Sequence, residues 1–145
     1  MTEQLHLNDL YPIIAEVLQS GGEFTFTPSG NSMRPMLYGK NCSVTIKAPI
    51  GRLKKYDLPL YRCDDGHFVL HRVIKVLPSG YIMRGDCTIP KEHGITDSHI
   101  VGVVTAFSRF GKTCSLSNPL YRIYCRVWTA FPILRRFVMH FGHRD

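Results

Sequence analysis

Hydrophobic positions recur along this chain with two different periods, and the places where the period changes mark its elements. Between 9 and 19, Leu10, Ile13, Ile14, Val17 and Leu18 fall at helical spacing, with Asn8 placed to cap the helix and Gly21 and Gly22 to end it. From Glu23 the period drops to two. Runs at 23–27, 42–48, 58–63, 67–77, 81–84, 99–107 and 112–116 predict strands, separated by turns rich in Gly, Pro and Asp. Several short strands without helices between them predict a mainly β, antiparallel domain. Helical spacing returns at Asn118, a second capping residue, with Pro119 in the first helical position, where its missing N–H costs nothing. Arg122, Arg126, Thr129, Arg136 and His140 make a narrow polar stripe on an otherwise apolar surface, and Pro132 is expected to kink the helix. The pattern divides the chain into an N-terminal helix (1–22), a β domain (23–117) and a basic amphipathic C-terminal helix (118–145).

Composition adds location and charge. A chain of 145 residues with 44% hydrophobic and 20% charged content is an ordinary globular domain. Of the net charge of +7, the segment 118–145 carries +4, from Arg122, Arg126, Arg135, Arg136 and Arg144 against Asp145. The five cysteines (42, 63, 87, 114 and 125) are odd in number and contain no C-x-x-C pair. That argues against a disulfide framework or a zinc site and for a reducing compartment. The N-terminus lacks the basic start of a secretory signal, and no run approaches the ~20 apolar residues of a membrane span. A cytoplasmic protein, at most peripheral to a membrane, is expected.

Candidate chemistry begins in "PSGNSMRPML" (28–37), which sets Ser32 in a turn after an alternating run. A serine hydroxyl is a poor nucleophile until a base takes its proton. His71 is the candidate base: the 67–77 run is apolar on both faces, which predicts a central strand and a partly buried imidazole. Alternation sets His71 with Val69 and Val73, opposite Phe68, Leu70 and Ile74. Such a base is usually oriented by a carboxylate, and Asp86 and Glu92 follow in "MRGDCTIPKEH". Taken singly, Ser32 and Asp86 read as turn residues, His71 as a core histidine and Glu92 as a loop charge. His67 and His71 lie four apart on a strand, with no third ligand at a metal-binding spacing, so no metal is expected.

Taken together, "GNSMRPML", "KNCSVTI", "LKKYDLPLYRC", "VLHRVIKV", "GYIMRGD" and "IVGVVTAF" resemble the S24/S26 serine peptidase clan. The chain is similar to type I signal peptidases, above all the endoplasmic-reticulum and archaeal kind, over roughly 24–107. Ser32, Met33 and Pro35 match the family's Ser-Met-x-Pro box, His71 and Arg72 its His-Arg pair, and Gly85 and Asp86 its Gly-Asp box. The resemblance implies a signal-peptidase-like β domain and a serine endopeptidase that trims a leader or precursor peptide. Ser32 would form the acyl-enzyme and His71 would act as general base, with no cofactor. Either acid could orient His71; Glu92 is preferred because it matches the family's later acid in position, leaving Asp86 a structural role. Gly30 stands where the family often has an oxyanion-hole serine, which would leave that task to the Ser32 N–H and Asn31. Met33 and neighbouring apolar residues would line a cleft for a substrate strand with small residues near the cut. Two other readings share the fold: a self-cleaving regulatory module like the SOS repressors, which use a lysine base, and a catalytically silent scaffold. For 118–141 the alternatives are a membrane surface, a partner protein or docking on the β domain; nucleic acid is not an expected partner.

Overall fold

The period-two runs fold as strands, and their pairing sorts them into two antiparallel sheets. The computed structural model describes residues 2–30, 32–37 and 40–141. The larger sheet runs in the order β1 (Phe24–Phe26), β2 (Cys42–Lys47), β8 (Ile100–Arg109), β3 (Pro59–Arg62) and β4 (Phe68–Leu70), with β9 (Lys112–Ser115) also paired to β8. The smaller sheet holds β5 (Arg72–Leu77), β6 (Gly80–Arg84) and β7 (Glu92–Ile95). Helix α1 (Thr2–Gln19) precedes the sheets, and α2 (Pro119–Ala130) and α3 (Pro132–Phe141) follow them.

Both faces of the larger sheet are covered, and alternation along its strands feeds two separate cores. Val44, Ile46, Leu60, Phe68 and Leu70 join Ile14 and Leu18 of α1 and Tyr121 and Cys125 of α2 in one. Tyr61, next to Leu60, points the other way and packs with Val73, Tyr81, Met83 and Ile95 of the smaller sheet, with Val69 at its margin. The faces read for Phe68 and Leu70 against Val69 and Val73 are therefore those observed.

Four expectations change. The 67–77 run is not one central strand: β4 is an edge strand of the larger sheet, β5 belongs to the smaller, and His71 stands at the break. Apolar residues on both faces reported that the sheet is covered on both sides, which is independent of strand order. Helix α1 begins well before Asn8 and carries Pro12 inside it. The C-terminal segment is two helices, because Phe131, as the residue before Pro132, is pushed out of helical geometry to φ −118°, ψ 86°. The strand β7 was not foreseen: it is four residues long and contains Gly94 at φ +79°.

Among the described residues, no helix is long and apolar enough to cross a membrane. None of the five cysteines forms a disulfide.

Candidate active site

His71 and Arg72 occupy the link between the two sheets, so consecutive side chains enter different surroundings. The Nδ1 edge of His71 meets the Glu92 carboxylate on β7. The second Glu92 oxygen accepts a hydrogen bond of 2.7 Å from the Tyr61 hydroxyl on β3. Burial acts to raise the Glu92 pKa, but the hydrogen bonds from His71 and Tyr61 outweigh it and hold the carboxyl below its ordinary value. Burial and the bond to Glu92 push the Tyr61 phenol well up, so it stays protonated and serves as a donor. A carboxylate facing Nδ1 keeps the proton on that nitrogen and leaves the lone pair on Nε2.

Nε2 faces the segment that carries Ser32, with Gly85 between them. A Cβ on Gly85 would lie 2.5 Å from the Ser32 carbonyl oxygen and 3.0 Å from His71 Nε2, a space that only glycine fills without displacement. The Ser32 carbonyl is fixed by the Cys87 N–H at 2.8 Å. Ser32, His71 and Glu92 then line one cleft of about 380 Å³. Its apolar walls include Phe26, Met33, Leu60, Phe68 and Leu70, with Leu7 of α1 at one side. The two edge strands of the path, β1 through Phe26 and β4 through Phe68–Leu70, thus border the same cleft.

Arg72 turns into the protein and is 1% exposed. Its Nε and Nη2 donate to the two Asp86 oxygens at 2.9 and 2.8 Å, a bidentate pair. Desolvation works to lower the guanidinium pKa, but the Asp86 charge outweighs it and keeps Arg72 protonated. Nη1 of Arg72 donates to the Tyr56 carbonyl and the Tyr121 hydroxyl. Tyr124 donates to Asp86 Oδ2 at 2.7 Å, while Trp128 Nε1 and Arg135 Nε both donate to the Asp86 carbonyl. Asp86 is therefore the anchor of α2 and α3, and its carboxylate is taken by Arg72 and Tyr124.

Of the residues singled out in the sequence, the fold brings Ser32, Met33, His71 and Glu92 to the cleft and ties Asp86 to Arg72. Asn31 lies outside the described residues. Gly30, beside it, has φ +84°, the left-handed region in which a serine would be strained. Tyr61 is a site residue that the sequence pattern does not single out; its signal is a hydroxyl-bearing aromatic at a buried position of β3, between Leu60 and Arg62. The metal reading centred on His67 and His71, yet His67 sits instead with Cys63 and Asp65 in the β3–β4 turn, their donor atoms within 4.8 Å of one another. Asp65 and His67 are exposed and already hydrogen-bonded to each other. No family model, curated protein or solved structure matches this chain.

Proposed function

We propose that the protein is a serine endopeptidase with a signal-peptidase-like fold, cleaving a leader or precursor peptide. The observation that carries this reading is the Glu92–His71 pair, whose free imidazole edge faces the Ser32 segment across Gly85 in a cleft that Ser32, His71 and Glu92 all line. Ser32 Oγ attacks the peptide carbonyl carbon and its proton passes to His71 Nε2. The carbon–nitrogen bond then breaks, the same proton goes to the leaving amine, and an acyl-enzyme remains. Water, deprotonated by His71, attacks the ester; the substrate acid is released and the proton returns to Ser32. Throughout, Glu92 orients the ring and balances the imidazolium charge. The Ser32 N–H is the proposed oxyanion donor, an interaction whose removal typically costs roughly 2.7–4 kcal/mol of transition-state stabilisation.

The substrate is read as an extended strand, because β1 and β4 offer their edges to the cleft and can pair with an added strand. Small residues near the cut suit a site closed in by Leu60, Phe68 and Leu70. The histidine in the base position favours this reading over a self-cleaving repressor module, and reactivity separates it from a silent scaffold. A fluorophosphonate is expected to attach to Ser32, as located by peptide mass mapping, and Ser32→Ala is expected to remain folded and unlabelled. Labelling of Ser32→Ala to the wild-type extent would remove the proposal.

A further inference from the structure

The C-terminal helices present two unlike sides. Toward the β domain, Tyr121, Cys125 and Trp128 recur at four and three residues and are buried, and Arg135 of α3 reaches the Asp86 carbonyl. On α2 the opposite side carries Leu120, Ile123 and Val127, again at helical spacing, all exposed and Leu120 at 77%. Beyond the break at Phe131, itself exposed, Ile133 and Phe137 continue the apolar surface on α3 at 62% and 57% exposure. Intramolecular docking has therefore satisfied one face and left a second apolar face in water. Large exposed apolar patches of this kind mark contact surfaces.

The charges beside this face decide what it contacts. Arg122 and Arg126 occupy the sector of α2 next to the apolar stripe, and Arg136 lies beside Phe137; all three are exposed. No Asp or Glu occurs between 118 and 141. Arg122 and Arg126 also line a hollow of about 610 Å³ with Lys54 and Lys55. Asp57 is the acid in that hollow, and its Oδ2 accepts from the Lys54 backbone N–H. Four cations thus converge where the apolar face ends, an arrangement suited to phosphate groups lying in a plane beside a hydrocarbon layer.

We infer that the outer face of α2 and α3 docks on an anionic lipid surface, with Leu120, Ile123, Val127, Phe131 and Phe137 entering the interface. Arg122, Arg126, Lys54 and Lys55 would meet the lipid phosphates. An amphipathic helix held in this way lies in the plane of the interface, its apolar side sunk roughly 5–10 Å below the headgroups. The inference is independent of the peptidase reading, since it uses neither Ser32 nor His71.

Sedimentation of the full chain with vesicles tests it. Binding is expected to phosphatidylcholine and phosphatidylglycerol mixed in equal parts, falling as salt is raised, and to be weak with phosphatidylcholine alone. Each exposed cation removed should weaken partitioning about fivefold, so the Arg122→Gln, Arg126→Gln double variant should bind about 25-fold less well. Ile123→Ser with Phe137→Ser should also reduce binding. These side chains are exposed, so unchanged melting temperatures will show that the variants are folded. Absence of sedimentation with the anionic vesicles, equal binding to neutral vesicles, or wild-type binding by both double variants would overturn the inference.

Discussion

His71 and Arg72 are neighbours in the chain, and each faces a carboxylate of its own: Glu92 for His71, Asp86 for Arg72. The strand break between β4 and β5 separates them, one to the cleft and one to the buried junction with the C-terminal helices. The two acids are six residues apart in sequence and do different work.

The buried pair is a stability element. Asp86→Ala would leave the Arg72 guanidinium charged, 1% exposed and without its counter-ion. Removing one member of such a pair typically costs about 3–5 kcal/mol. Urea denaturation is expected to show a loss of this size, whereas a change of about 1 kcal/mol or less, as for an exposed pair, would place Asp86 outside this role.

The second acid predicts a pH dependence. The Glu92 pKa is lowered in the folded chain, so its contribution to stability is fully present above the ordinary glutamate range. That contribution is lost as pH falls through the lowered folded value. Glu92→Gln lacks it at every pH. The gap in urea midpoint between wild type and Glu92→Gln should therefore close on acidification through the carboxyl range; a gap constant with pH would contradict the pairing.

Gly85 joins the two sides of the site. Gly85→Ala would drive a methyl group to 2.5 Å from the Ser32 carbonyl oxygen and 3.0 Å from His71 Nε2. Overpacking of this kind typically costs about 1–3 kcal/mol. The larger expected effect is on reactivity: Ser32 should label far more slowly with fluorophosphonate while far-UV circular dichroism is kept. Wild-type labelling would show that the glycine does not set the serine–histidine geometry.

Gly30→Ser introduces the residue often found at this place in the signal peptidases the sequence resembles, but at φ +84°. The strain should lower stability by roughly 1–2 kcal/mol in urea denaturation. No gain in labelling rate is expected, and a gain would mean that a hydroxyl there reaches the reacting centre.

Much of this architecture is legible in the residues. Alternation places Phe68 and Leu70 against Val69 and Val73 on opposite faces, because both faces of the larger sheet are covered. The same alternation conceals the break at His71, since local periodicity cannot say which sheet a strand joins. Glu92 reads as a loop charge because "EHGI" is short and holds a glycine, yet pairing with β6 makes it a strand. The three readings of 118–141 divide in a way that spacing alone does not resolve. Tyr121, Cys125, Trp128 and Arg135 show that the segment packs on the β domain, while Leu120, Ile123 and Phe137 face out. Deleting 118–145 would take from Arg72 its bond to Tyr121 and from Asp86 its bonds to Tyr124, Trp128 and Arg135, so point changes on the outer face are the cleaner probe of contact with a surface.

The most direct measurement is the rate at which a fluorophosphonate acylates Ser32 in the wild type and in His71→Ala, at a pH where the wild-type imidazole is neutral. A positioned general base is worth typically 10²–10⁴-fold. The account predicts a fall of that size in His71→Ala and an intermediate rate in Glu92→Gln, with all three proteins folded. Equal rates in wild type and His71→Ala would contradict it.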